Sequence, residues 1–171
     1  MHRNLNISET SLVSPALYMK QLLEMLCSRA GVYEGIGLND HHHEFNGRIE
    51  VVPVVNEYGI NINYTAKGID NNVYNEEHTV IALNNENKIT LWTLNNKFNT
   101  MLQFDFRHHK RIHGEKDILI FGFGDAADKF IFREEISIEI WDNGNISYNY
   151  YWGQPTGDFL ARSNLTVSKI M

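Results

Sequence analysis

Apolar positions near the N-terminus follow the period of a helix. They fall on one predicted helical face, at Met19, Leu22, Leu23 and Leu26. Ser14 can cap the free N–H groups of the first turn, and Pro15 fits the first helical position. Gly31 follows as a C-terminal stop. The pattern predicts an amphipathic helix over residues 14–30 that packs on the rest of the domain, preceded by a polar and flexible N-terminus, residues 1–13.

From residue 32 onward, apolar and polar positions alternate, which is typical of half-buried strands. Turn-forming Asn, Asp and Gly residues separate the alternating stretches, and Asn143-Gly144 is a dipeptide typical of tight hairpins. The predicted strands are 32–38, 48–55, 59–69, 74–84, 88–94, 99–107, 117–123, 129–141, 145–152 and 158–168. No second helix is predicted that could connect parallel strands. The pattern therefore predicts an all-β fold, an antiparallel up-and-down β-barrel of about ten strands with one N-terminal α-helix.

Composition and charge narrow the class of protein. The chain has 171 residues and a mass of 19.8 kDa, which predicts a single domain over residues 1–171. A net charge of −6 argues against nucleic acid and anionic membranes as partners. Cys27 is the only cysteine, so an internal disulfide and a multi-cysteine metal site are excluded. With neither a long apolar segment nor a signal-peptide pattern, we expect a cytoplasmic location.

Alternation also assigns the two faces of each strand. In 129–141 the isoleucine face is predicted to lie inside, and the same parity takes Phe130, Phe132 and Glu134 inside with it. Because ten strands enclose more space than their own side chains fill, we predict a lumen that holds a small, largely apolar molecule. The predicted ligand-binding residues are Tyr33, Tyr64, Phe104, Glu134, Tyr148 and Tyr150. A packed aromatic core is the alternative.

A short glycine motif carries a resemblance to a known family. Gly31-Val32-Tyr33-Glu34-Gly35-Ile36-Gly37 resembles the Gly-x-Trp-x-Gly-x-Gly opening strand of the nitrobindin family, within the wider calycin group of fatty-acid-binding proteins and lipocalins. The order of helix, motif and strands extends the likeness over residues 15–168. The resemblance implies a calycin-like ligand-binding barrel in which Tyr33, at the position of the family's Trp, plugs one end.

The resemblance also bears on the ligand. Nitrobindin holds haem iron through a His on a strand near the C-terminus, whereas residues 145–168 contain no His, so haem is disfavoured as the cofactor. Fatty-acid-binding proteins clamp a carboxylate with an Arg-x-Tyr pair on the final strand. The matching stretch here is Arg162-Ser163-Asn164, and alternation points Arg162 outward. The likeness implies a binding barrel and leaves its ligand open.

Histidines are the candidate metal ligands of the chain. The basic run 107–116 is interpreted as an exposed loop, with an anion contact or a metal site as alternatives. If this run formed a helical turn, His109 and His113 would share one face. His41-His42-His43 is interpreted as a solvated loop. The candidate ligands are His78, His109 and His113.

Three functions remain open from the sequence. The first is a small-molecule binding protein. The second is a haem-binding or Glu-dependent enzyme in the same barrel, in which burial would raise the pKa of Glu134 and make it the candidate general acid or base. The third is a protein interaction module with a filled barrel, used as a homodimer. No nucleophile elbow, P-loop or dinucleotide motif is present, so a non-enzymatic role is favoured.

Overall fold

The computed structural model describes residues 14–98 and 100–170, and the N-terminal segment predicted to be flexible lies outside them. One helix is followed by ten strands: α1 (Pro15–Cys27), β1 (Gly31–Asn39), β2 (Glu44–Val54), β3 (Gly59–Lys67), β4 (Val73–Leu83), β5 (Ile89–Asn95), β6 (Leu102–Ile112), β7 (Lys116–Phe123), β8 (Arg133–Trp141), β9 (Ile146–Gly153) and β10 (Leu160–Lys169). Within the described residues, no helix is both long and apolar enough to cross a membrane.

The ten strands form one closed antiparallel barrel. Each strand pairs with its neighbours in sequence, and β1 closes the barrel by pairing with β10. The predicted all-β up-and-down barrel with one helix is therefore confirmed. Closure depends on glycine in β1: a Cβ on Gly35 would overlap the carbonyl oxygen of Thr166 in β10. The opening motif thus lets the first and last strands lie close together.

The helix α1 fills one end of the barrel. Ser14 caps it as predicted, accepting a hydrogen bond from Leu17 N at 3.2 Å. Its apolar face is buried, and Cys27 belongs to the core. The helix ends at Cys27 and not at residue 30, because Gly31 already begins β1 and pairs with Val51 of β2. The predicted helix is therefore correct in place and too long at its end.

The interior is assigned largely as alternation predicted. Ile136, Ile138 and Ile140 are almost completely buried. Phe130, however, is 84% exposed, so its predicted interior position is wrong. The reason is that β8 begins only at Arg133, so that Phe130 lies in the preceding loop where the alternation of the strand does not apply.

The basic run 107–116 is the other correction to the fold. β6 continues to Ile112 and pairs with β7, for example at His109 and Leu119, so most of this run is strand and not loop. His109 and His113 therefore share no helical face. A bulge between Phe106 and His108 shifts the alternation at this point, which hides the continuation of the strand in the sequence.

Candidate ligand-binding site

A cavity of about 520 Å³ opens at the end of the barrel that faces away from α1. Its size is within the usual range of small-molecule pockets. At the α1 end, the space between Leu26 and the surrounding isoleucines is only about 10 Å³. The barrel is therefore a cup with a filled base, and we call this cavity the cup. The Phe, Tyr and Trp residues of its wall are Phe45, Tyr64, Tyr74, Phe98, Phe132, Tyr150 and Trp152.

Glu134 presents a buried carboxyl group to the cup. It is the second residue of β8, lines the cavity and is only 6% exposed. Its Oε2 atom is buried and has no hydrogen-bond partner among residues 14–98 and 100–170. Burial, followed by the negative charge of Glu77, raises the pKa of Glu134 to about 8, while Lys97 acts in the opposite direction. Near neutral pH the carboxyl of the empty cup therefore retains its proton.

Glu77 of β4 is a second buried carboxyl group, and it is fully engaged. Its oxygens accept hydrogen bonds from Tyr148 Oη at 2.8 Å, from Thr79 Oγ1 at 2.7 Å and from Tyr150 Oη. Burial raises the pKa of Tyr148 and Tyr150 well above the ordinary value, and the charge of Glu77 adds to this effect. The phenols therefore keep their protons and serve as donors to Glu77.

Three tyrosine rings lie close together around this carboxyl. The ring centroid of Tyr64 lies 5.5 Å from that of Tyr148 and 6.3 Å from that of Tyr150. Burial is also the main cause that raises the pKa of Tyr64. Tyr64 and Tyr150 line the cup, whereas Tyr148 lies deeper, and the hydroxyls of Tyr148 and Tyr150 bind Glu77.

Arg162 borders the mouth of the cup, contrary to the outward direction that alternation predicted for it. Its guanidinium pairs with Asp40 at 3.1 Å and lies 4.1 Å from the centre of the Trp152 ring. A bulge between Ala161 and Ser163 shifts the register of β10. As a result, both Arg162 and Ser163 line the cavity.

The predicted ligand-binding residues separate into two groups. Tyr64, Glu134 and Tyr150 line the cup, and Tyr148 lies deeper, bonded to Glu77. The other two lie elsewhere in the core. Tyr33 donates a hydrogen bond to the Arg29 carbonyl at the α1 end, at 2.9 Å, and Phe104 packs against Phe123. Their role as ligand contacts is therefore not supported by position.

Glu77, Lys97 and Trp152 are residues of the site that the sequence reasoning missed. Glu77 alternates along β4 with Thr79 and Ile81, and the three side chains share one buried face. An acidic residue on an apolar strand face is the pattern that identifies it. His78, one of the candidate metal ligands, is exposed, with Nδ1 2.7 Å from Asn63 Oδ1. Lys97 lies in a turn, where alternation assigns no direction.

Arg133, the neighbour of Glu134, is buried on the opposite side of β8. It is 1% exposed, and its guanidinium donates to carbonyl oxygens of two loops. In the loop 124–132 the acceptors are Ala126 and Ile131. Around the β9–β10 connection they are Gly153, Gln154 and Gly157. Phe132 and Gln154 of these segments line the cup, so Arg133 holds part of its mouth in place.

The candidate metal ligands lie apart from one another. His109 is 2.6 Å from Tyr18 Oη through Nδ1 and 2.8 Å from Asp117 through Nε2, so it joins α1 to the barrel. His113 is exposed in the turn after β6. Across the described ranges, no group of three or more His, Cys, Asp or Glu side chains is arranged to hold a metal ion.

Haem does not fit the residues of the cup. Of the described residues, the wall contains one histidine, His43, which lies exposed at the mouth. Deeper in the cup, the buried polar side chains include Glu134, Tyr64, Asn75 and Tyr150, whose phenol is engaged by Glu77. An axial imidazole within the barrel is therefore missing from the described part of the chain.

Comparison with known proteins identifies the fold, but it identifies neither a family nor a function. The chain matches no protein-family model and no curated protein sequence. Among solved structures it is similar to the crystal structure of Rv2717c from M. tuberculosis, with a TM-score of 0.67 and 12% sequence identity. The similarity covers 93% of this chain and 99% of that chain. At this identity the match supports a shared ten-stranded barrel architecture only.

Proposed function

We propose that this protein binds a small, largely apolar molecule in the cup. The observation that carries the proposal is the cavity of about 520 Å³ with an aromatic wall and one buried, unpartnered carboxyl group, Glu134. An apolar pocket with a few polar groups is the usual form of a small-molecule site. The base filled by α1 and the open mouth support a ligand position within the cup, between the base and the mouth.

We also infer that the barrel belongs with the calycin group. The glycine motif of β1, the single preceding helix and the strand order support this assignment. Gly35 gives the motif a physical basis, since it allows the close approach of β10. A nitrobindin-like haem chemistry is not part of the proposal, because the wall of the cup does not suit haem.

The proposal predicts that filling the cup abolishes binding. Nile red is a suitable uncharged probe, because its fluorescence increases in an apolar site. We expect saturable one-to-one binding to the full chain and an affinity loss of about tenfold or more in Ser163→Trp, whose indole would occupy the cavity. Asn164→Trp is the matched control, since Asn164 is exposed on the outer face of β10. Fluorescence titration measures both.

The mass of the freshly purified protein under native and denaturing conditions provides an independent test. We expect extra mass that is released on denaturation. Absence of both extra mass and saturable Nile red binding would overturn the proposal and favour the interaction module. Equal binding by Ser163→Trp, Asn164→Trp and the wild type would place the site outside the cup.

A further inference from the structure

Among the residues that the structure describes, one strongly buried polar group of the cup is left without a partner. Arg162 at the mouth is paired with Asp40, and Glu77 accepts three hydroxyl hydrogen bonds. Glu134 is 6% exposed, yet its Oε2 has no partner within residues 14–98 and 100–170. A buried carboxyl oxygen without a donor is costly, so a ligand that supplies a donor there is bound preferentially.

The charges around Glu134 select among such donors. The negative charge of Glu77 raises the pKa of Glu134 more than the positive charge of Lys97 lowers it, so the effect of the second carboxyl group prevails at Glu134. The hydroxyl protons of Tyr148, Tyr150 and Thr79 already point to Glu77 and are not available to Glu134. An anionic ligand would be repelled at this depth, whereas a cationic donor would be attracted.

The aromatic wall suits the same kind of ligand. Tyr64 and Tyr150 line the cup together with Glu134, and the faces of aromatic rings attract cations as well as apolar groups. An apolar ligand body can therefore lie against the rings while a positively charged group reaches the carboxyl.

We propose that the ligand carries a protonated amine on an apolar body, and that the carboxylate of Glu134 binds this amine. The inference rests on the proposed function and specifies its ligand class. Binding is non-covalent. The proton that Glu134 holds in the empty cup is released to water as the amine enters, and the ammonium N–H groups donate to the carboxylate.

This proton release determines the sign of the pH dependence. Because the empty cup holds the Glu134 proton up to about pH 8, amine affinity rises from about pH 6 to about pH 8. A ligand that accepts a hydrogen bond from protonated Glu134 shows the opposite trend. Other titratable or charged groups that face Glu134 or the cup also contribute, and Glu134→Gln separates them: Asp40, His43, Tyr64, Tyr74, Glu77, Lys97, Tyr150 and Arg162.

The experiment compares three probes that share one apolar body. Naphthylethylamine, naphthylethanol and naphthylacetate are titrated calorimetrically into the full chain near neutral pH. We expect the amine to bind about tenfold or more tightly than the alcohol, and the carboxylate to bind most weakly. Glu134→Gln is expected to remove the preference for the amine over the alcohol. Glu135→Gln makes the same side-chain change at the next position of β8, outside the cup, and retains the preference.

Nile red binding in the same samples separates the two proposals. If Nile red binds but the amine does not bind, shows no advantage over the alcohol, or weakens as the pH rises toward 8, the inference about the amine is overturned and the cup remains a binding site. If Glu134→Gln retains the amine preference, Glu134 is not its partner and the inference is again overturned. If neither saturable Nile red binding nor extra mass released on denaturation is found, the proposed function itself fails.

Discussion

Arg133 and Glu134 are adjacent in sequence and are buried on opposite sides of β8, but their polar contacts differ. The guanidinium of Arg133 donates hydrogen bonds to five carbonyl oxygens. Glu134 has no comparable set of donors, and burial raises its pKa to about 8, so that it holds a proton near neutral pH. The first residue therefore contributes to structure, and the second is available for a ligand.

The raised pKa of Glu134 predicts a pH-dependent effect of Glu134→Gln on stability. Between about pH 4.5 and pH 8 the unfolded chain releases the Glu134 proton while the folded chain holds it. The wild type therefore loses stability as the pH rises through this window, and the isosteric amide does not. We therefore compare the free energies of unfolding of the two proteins. The value for Glu134→Gln minus the value for the wild type is expected to increase by about 2 kcal/mol between about pH 5 and about pH 7.

Urea denaturation of both proteins at a series of pH values measures this difference. Only the difference between the two proteins is interpreted, since every other titrating group is common to both. A difference that is independent of pH would contradict the raised pKa, whatever its size.

The position of Glu134 could be predicted from its sequence neighbours, and that of Arg162 could not. Regular alternation with Ile136 and Ile138 assigns Glu134 to the lumen, where burial raises the pKa of a carboxyl group. Arg162 follows no such rule, because the bulge beside Ser163 shifts the register of β10. A bulge depends on pairing with a neighbouring strand and leaves no periodic trace in one strand alone.

At the scale of elements, the loop 124–132 and the β9–β10 connection are held together by Arg133. The same guanidinium joins both segments to the start of β8, and both contribute to the mouth of the cup. Sequence alternation predicts the strands that flank them, but the link between them is a tertiary contact. Arg133 directly precedes Glu134, which alternation predicts to face inward. Arg133 would therefore ordinarily be assigned to the exposed face.

Arg133→Met is predicted to destabilise the protein strongly. The methionine fills part of the same space but leaves five carbonyl oxygens without their donor. We expect a loss of about 2 to 4 kcal/mol in the free energy of unfolding, measured by urea denaturation. Amide hydrogen exchange is expected to increase in residues 124–132 and 153–159.

Arg48→Met is the matched control for this substitution. Arg48 forms an ion pair with Glu34 in which both side chains are about half exposed. Such a pair contributes about 1 kcal/mol or less, so the control should unfold close to the wild type. Equal stability of the two variants would show that Arg133 does not hold the loops.

For the whole molecule, the architecture depends on the pairing of β1 with β10, which closes the barrel. Alternation and tight turns predict the meander of strands, and the width of ten strands predicts a lumen. The depth of the cup could not be predicted, because it depends on how far α1 fills the base and on the hydrogen bonds of Glu77 with tyrosines of β9. These are contacts between elements distant in sequence.

Gly35→Ala is predicted to weaken this closure. The added methyl group would overlap the carbonyl oxygen of Thr166, and both strands would have to move apart. We expect a loss of about 2 kcal/mol or more in the free energy of unfolding. Ile36→Ala is the control on the same strand, since Ile36 is 63% exposed, and it should cost about 1 kcal/mol or less. Equal losses would indicate that the glycine is not required for closure.

The filled base has a consequence for how a ligand enters and leaves the barrel. Since α1 occupies one end of the barrel, the described chain forms a container and not a passage. A guest that reaches Glu134 must depart through the same opening by which it arrived, past the segments anchored by Arg133. Uptake and release of a ligand therefore take place through the same opening. A change that loosens this opening shortens the residence time of the ligand and also accelerates its entry.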